Sequence, residues 1–277
     1  MNGKKWHDGT MRLPLLDESL SGLGDIVVAF SGGADSAFLG AYATRLLGSE
    51  RVHCVTAVSA SLAESEAEDC RLLADEWGLR WTTVVTNETS RPEYIANAGD
   101  RCFHCKDELM DALLPIAAQN NATIVLGVNV DDLGDHRPGQ QAAAAKGAVF
   151  PLVEAGLTKE EIRSASRALN LRTWDKPAAA CLASRVPYGT QVTVGLLSRI
   201  DRAEAALRAL VPAGNLRVRH EGDAARIEVD PDVFSVFAER HAEAVEALQA
   251  LGYRYVTLDL AGFRSGNLNW ALGLNRP

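Results

Sequence analysis

The apolar run Ile26-Val-Val-Ala-Phe30 breaks directly into Ser31-Gly-Gly-Ala-Asp-Ser36, and Ala37 to Leu47 then takes up helical spacing. A buried strand that ends in two glycines and re-enters as a helix makes a cradle. Gly32 and Gly33 let the backbone bend close to an anion, the first N–H groups of the helix face it, and Ser31 and Ser36 add hydroxyl donors. The spacing is not Gly-x-x-x-x-Gly-Lys-Ser/Thr, so a Walker-type triphosphatase is not indicated. The plain alternative is a capped strand-to-helix turn, which Ser and Asp also favour.

The same alternation continues up to about residue 175. Asp25 to Phe30, Val52 to Val58, Trp81 to Val85 and Thr123 to Val128 read as strands, separated by amphipathic stretches at Ala37 to Leu47, Glu64 to Trp77 and Lys106 to Gln119. That order predicts an α/β domain over 1–175, a parallel sheet with helices on both faces and ligands at the carboxyl ends of its strands. Gly127 stands at one such end, before the polar segment Asp131 to Gly139. Residues 176–191, with Pro177, Pro187 and Gly189, read as a linker carrying Cys181. Over 192–277 the pattern changes to helix (Val194 to Leu210), hairpin (Leu216 to His220 and Ala225 to Val229), helix (Val233 to Leu251) and strand (Tyr253 to Leu260), a smaller α+β domain.

The chain has no apolar stretch of about 18 residues, and Met1 to Asp8 is not followed by the apolar segment of a signal peptide, so no membrane contact and a cytoplasmic location are expected. A net charge of −8 speaks against nucleic acid and for a small-molecule partner. The five cysteines are an odd number, which argues for thiol chemistry or metal ligation over a disulfide framework. Cys54 and Cys70 fall inside a strand and a helix and read as small buried hydrophobes. Cys102 and Cys105 form Cys-x-x-Cys at a helix entrance, open to a dithiol couple, half a zinc site with His104 or His136, or a three-thiolate iron-sulfur cluster with Cys181. Lys176 and Arg185 flank Cys181 as cations that favour a thiolate.

The Ser31 to Ser36 loop resembles that of the ATP pyrophosphatase (PP-loop) superfamily, which implies an adenine nucleotide alpha hydrolase-like domain that splits ATP between its α and β phosphates. Gly127-Val-Asn-Val-Asp-Asp-Leu-Gly-Asp-His-Arg-Pro-Gly139, Cys181-Leu-Ala-Ser-Arg-Val-Pro-Tyr-Gly189 and Leu216-Arg-Val-Arg-His220 widen the likeness to nearly the whole chain. Together they resemble the ATP-dependent sulfur transferases of lactate racemase maturation, the LarE family. That family sulfurates the carboxylates of pyridinium-3,5-biscarboxylic acid mononucleotide on the way to the nickel-pincer nucleotide cofactor.

The resemblance implies ATP and Mg²⁺ as cofactors, with Ser31, Gly32, Gly33, Asp35, Ser36 and Gly127 at the nucleotide and Asp35 near the metal. It implies Cys181 as the catalytic sulfur. Cys102 and Cys105 match the form of the family in which three cysteines hold a 4Fe-4S cluster rather than the form in which a lone cysteine is consumed. Ser184, Arg185, Arg217 and Arg219 would hold the substrate phosphate, against the plain reading of Arg217 and Arg219 as a solvated strand face. Glu204 and Glu228 read as solvated carboxylates. The sulfur donor is open, and a homo-oligomer is expected. A PP-loop enzyme that thiolates tRNA, a non-catalytic nucleotide-binding redox sensor and an amide-forming synthase are the competing readings.

Overall fold

The computed structural model describes residues 12–134, 138–177, 179–211 and 214–264. The readings made of Met1 to Asp8 and of Asp135, His136 and Arg137 lie outside the described residues. In chain order the elements are α1 (Leu13–Gly22), β1 (Ile26–Ala29), α2 (Ala34–Leu47), β2 (Val52–Val58), α3 (Glu64–Trp77), β3 (Trp81–Val85), α4 (Pro92–Ile95), α5 (Arg101–Gln119), β4 (Thr123–Leu126), α6 (Pro138–Ala145), α7 (Pro151–Glu154), α8 (Lys159–Ala168), α9 (Val194–Leu210), β5 (Leu216–Glu221), β6 (Ala224–Val229), α10 (Phe234–Glu239), α11 (His241–Ala250) and β7 (Tyr255–Leu258).

They divide into two compact units. Of the described residues, the first comprises those up to Ser59, Glu64–Asn87 and Cys102–Ala179; the second comprises Ala60–Ala63, Glu88–Arg101 and those from Ala180 on.

The sheet of the first unit is parallel throughout, in the order β3-β2-β1-β4. Alternate residues feed its two faces. Ile26, Val28, Val52 and Cys54 join a core with α1, α2 and α3, while Val27 and Val55 join Met110, Leu113 and Ala117 of α5 and Ala143 of α6 on the other side. Burial on both faces explains why these strands read as continuous apolar runs. The chain leaves β1 toward β2 on one side, and β4 lies on the other. The switch point of the sheet is therefore at the carboxyl ends of β1 and β4, where such sheets bind ligands.

In the second unit β5 and β6 form an antiparallel hairpin and β7 runs parallel to β6. Leu216, Val218, Ile227 and Val229 pack with Ala203 and Leu207 of α9, Phe237 of α10 and Leu248 of α11. The helix expected over Val233 to Leu251 is instead a 3-10 turn at Pro231–Val233, then α10 and α11. The break falls at Arg240, whose guanidinium reaches the Leu210 carbonyl at 2.5 Å and Glu243. No Gly or Pro marks it locally. Helix α8, which the strand-by-strand reading passed over, opens on a complete capping box between Thr158 and Glu161.

Candidate active site

In the first unit the turn after β1 is tied by its own serines. Ser36 Oγ accepts from the Ser31 N–H at 3.2 Å, lies 3.0 Å from Ser31 Oγ and donates to the Gly33 carbonyl at 3.2 Å. Gly32 sits at φ +68°, in the left-handed region. The N-cap of α2 is Gly33, so no side chain covers the first N–H groups of that helix. That leaves them directed at the loop, as an anion cradle requires.

Two close approaches hold the cradle in place. A Cβ on Gly127, just past β4, would stand 2.7 Å from the Ser36 nitrogen and 2.8 Å from its Cα. One on Gly32 would stand 2.7 Å from Cys70 Sγ. Cys70 and Cys54 are buried, as read, and burial pushes their thiols up to about 11 and about 12.

Asp35 projects from the first turn of α2. Its Oδ2 accepts from Lys159 Nζ at 2.5 Å, and its Oδ1 is buried without a hydrogen-bond partner. Lys159 is the first residue of α8, and its backbone N–H donates to Asp131 at 2.7 Å. An orphaned carboxylate oxygen beside an anion cradle has the donor chemistry of a Mg²⁺ ligand.

Lys176 is not an unspent cation. Its ammonium donates to Glu66 and Asp69, each at 2.7 Å, and to the Gly32 carbonyl at 3.1 Å. It clamps the loop to α3. These partners outweigh the loss of hydration, since its pKa stands above the ordinary lysine value although burial acts to lower it.

Cys102 and Cys105 lie within the first two turns of α5, Cys102 exposed and Cys105 half-buried. Spaced i and i+3, they share a helix face. Among the described residues no three His, Cys, Asp or Glu side chains are gathered as a metal site. The pair thus places two free cysteines on one face of α5.

In the second unit Cys181 is half-buried at the head of a short 3-10 turn, Leu182–Arg185. Arg185 is buried and bound on every side. Its Nε and Nη2 grip the two oxygens of Glu204 at 2.8 and 3.1 Å, while Nη1 donates to the carbonyls of Ala180 and Cys181 and to Ser184 Oγ. Glu204 also accepts from the Val218 N–H at 3.0 Å.

Arg219 pairs with Glu228 at 2.9 Å and caps the Ser184 carbonyl at 2.6 Å. The reading of Glu204 and Glu228 as solvated carboxylates is overturned, because both are buried and ion-paired. So is the solvated-face reading of Arg217 and Arg219, which are 7% and 3% exposed. Arg217 lies 4.6 Å over the Phe263 ring, and burial, then the neighbouring Arg185 and Arg219, pull its pKa down to about 10.

A parallel sheet with a serine- and glycine-lined anion cradle at its switch point defines a nucleotide-binding α/β domain of the PP-loop type. A profile of the NAD synthase family matches residues 18–108. An uncharacterized protein of Synechocystis sp. is 45% identical over 249 residues, covering 89% of this chain and 92% of the relative. The pyridinium-3,5-bisthiocarboxylic acid mononucleotide synthase of Lactiplantibacillus plantarum is 36% identical over 252 residues, 91% of each chain. An uncharacterized protein of Methanocaldococcus jannaschii is 25% identical over 241 residues, 87% of this chain and 91% of the relative. The chain belongs to the family of the pyridinium-3,5-bisthiocarboxylic acid mononucleotide synthases, within the ATP-using PP-loop enzymes. Among the described residues no helix is long and apolar enough to cross a membrane.

Sequence reasoning passed over Lys159, Arg101 and Asn97, and it named Glu204 and Glu228 but read them as solvated. Only Lys159 left a local signal, the Thr158-Lys-Glu-Glu161 capping box that places it at a helix start.

Proposed function

We propose that the chain is an ATP-dependent sulfur transferase that adenylates a carboxylate of pyridinium-3,5-biscarboxylic acid mononucleotide and converts it to a thiocarboxylate. The observation that carries this reading is the pairing, in one chain of that family, of an uncapped anion cradle at Ser31 to Ser36 with a cysteine loop pinned by buried arginines. Ser31, Gly32, Gly33 and Ser36 hold the ATP phosphates, Gly127 lets the strand end approach them, and Asp35 holds Mg²⁺, with Lys159 as a second cation at the loop. Mg²⁺, when bound, neutralises phosphate charge.

The substrate carboxylate attacks the α-phosphorus. The bond to the β-phosphate oxygen breaks, and pyrophosphate leaves with its electron pair. Sulfur then attacks the acyl carbon; a C–S bond forms, the acyl C–O bond breaks, and AMP departs. In the sacrificial form that sulfur is Cys181 Sγ. Loss of the Cys181 Cα proton to solvent then breaks Cβ–S, so the thiocarboxylate leaves and residue 181 remains as dehydroalanine. A 4Fe-4S cluster held by Cys102, Cys105 and Cys181 would, when bound, supply an exchangeable sulfide instead of the cysteine's own sulfur.

Of the four candidates for the substrate phosphate, Ser184 and Arg185 are engaged with the Cys181 loop and Arg219 with Glu228 and Ser184. Arg217, whose pKa burial, Arg185 and Arg219 lower while Glu204 and Glu228 act to raise it, stays with the other three as a candidate for that phosphate. The same reading makes the protein a cytoplasmic homo-oligomer with no nucleic-acid partner.

The test is incubation of the anaerobically purified protein, assayed for iron and sulfide, with ATP, Mg²⁺ and the biscarboxylate nucleotide. Pyrophosphate release with an oxygen-for-sulfur mass change in the nucleotide is expected. Iron-free protein that loses the mass of H₂S at Cys181 identifies the sacrificial form. Tight, salt-sensitive tRNA binding without nucleotide turnover overturns the small-substrate reading.

A further inference from the structure

We infer that Arg101, held by Asn97, is a positioning residue for the loop that presents Cys181, an inference that rests on the sulfur-transfer reading above. Both side chains belong to the second unit and are buried, Arg101 at 3% and Asn97 at 0% exposure. Arg101 Nη1 donates to the Ala183 carbonyl at 2.9 Å, two residues beyond Cys181, and also to Asn97 Oδ1. Asn97 turns its amide the other way. Nδ2 donates to the carbonyls of Pro187 at 2.8 Å and Thr190 at 2.9 Å, and its own carbonyl accepts from the Gly189 N–H at 3.1 Å. Asn97 does this at φ +54°, a conformation Asn tolerates better than most residues.

With the Leu182 N–H on the Ser61 carbonyl, the Val192 N–H on Ile95 and Arg185 on the Ala180 and Cys181 carbonyls, the backbone around Cys181 is gripped from both ends. A loop with so little regular structure has no ladder of its own to satisfy its carbonyls, so buried side chains do it. Neither Arg101 nor Asn97 is required by the adenylation chemistry, which uses the Ser31 to Ser36 cradle. Their role is confined to delivery of sulfur to the acyl carbon.

The test compares Arg101→Met, Arg101→Lys, Asn97→Asp and Cys181→Ala in the full-length, anaerobically purified protein. Three quantities are read: pyrophosphate released per thiocarboxylate formed, melting temperature, and amide exchange over residues 180–192. Arg101→Met should keep pyrophosphate release within about twofold while thiocarboxylate formation falls roughly 10- to 100-fold, the scale of a misplaced reacting group. Exchange should quicken in that segment alone. Arg101→Lys, which can reach one of the two acceptors, should recover part of the coupling. Asn97→Asp is isosteric, keeps the acceptor for Arg101 and turns oxygen toward the Pro187 and Thr190 carbonyls. It should uncouple likewise, which keeps the test decisive if Arg101→Met does not fold.

Wild-type coupling in Arg101→Met and Asn97→Asp overturns the inference, as does equal loss of both half-reactions with faster exchange throughout the protein. Thiocarboxylate formation by Cys181→Ala would instead overturn the sulfur-carrier reading itself.

Discussion

Gly127 and Gly32 meet different neighbours, and their substitutions should fail differently. A methyl on Gly127 meets the backbone of Ser36, which cannot rotate away, so Gly127→Ala displaces the whole cradle. Overpacking of this kind costs about 1–3 kcal/mol. The expected result is a lower melting temperature and a rise of roughly 5- to 150-fold in the KM for ATP, the scale of one lost interaction of that energy. At Gly32 the methyl meets a side-chain sulfur, Cys70 Sγ, and a positive φ as well. Gly32→Ala should therefore be partly rescued by Cys70→Ala, which removes the contact but leaves a backbone cost of roughly 1–2 kcal/mol. Full rescue, or none, in a double-mutant melting series would contradict this division. That the glycines allow bending is legible in the sequence, but what each approaches is not, because a contact 91 residues away at Gly127 and Ser36 is a tertiary fact. Glu204 and Glu228 misled for the same reason, since periodicity describes one element and both are buried by others.

At the scale of elements, the strands β2 and β3 and the helices α3 and α9 follow the apolar pattern to their ends, with Arg51 and Ser59 bounding β2, Arg80 and Thr86 bounding β3, Gly78 ending α3 and Thr193 opening α9. The pattern failed where the neighbour decides. Arg240 breaks a helix that its own sequence would continue, and α6 begins inside what reads as a polar loop. Gly139 of α6 packs against α5 so closely that a Cβ would stand 2.8 Å from the Cys102 carbonyl. Gly139→Ala should disturb the cysteine-bearing turn of α5, read as altered alkylation rates at Cys102 and Cys105 with an unchanged KM for ATP. Thr158→Ala removes the cap of α8 and should cost about 1 kcal/mol in urea unfolding. Because Lys159 reaches Asp35 from that same first turn, the KM for ATP should rise with it. A KM unmoved by loss of the cap would separate Lys159 from nucleotide binding.

Taken as a whole, the molecule carries a buried histidine in each unit, His53 and His220. Burial first, then Arg80 for His53 and Arg199 for His220, lowers both pKa values below 6.5. The unfolded chain then binds more protons than the folded one between those lowered values and 6.5. The stabilisation is complete above 6.5 and is lost as pH falls through that window. Asp69 and Asp259, both depressed below 3.8 although burial opposes it, by Lys176 and Arg172 in one case and by the Ala261 N–H and Arg226 in the other, extend the loss to lower pH. Melting temperature should thus decline on acidification in two stages. His53→Gln and His220→Gln should each flatten the first stage, and amide exchange should assign each effect to its own unit. An acid limb unchanged in both variants would contradict this assignment.

Asp35 Oδ1 is buried without a hydrogen-bond partner, and on the proposed reading the loop gives up stability there to hold Mg²⁺. An orphaned buried acceptor costs about 1–3 kcal/mol, more than a half-exposed ion pair returns. Asp35→Asn, whose amide can find a partner that a carboxylate oxygen cannot, should melt no lower than the parent without ligand while losing most pyrophosphate release. Mg-ATP should raise the melting temperature of the parent far more than that of the variant. Selection for heat resistance alone would be expected to erode this position, and selection for turnover to restore it.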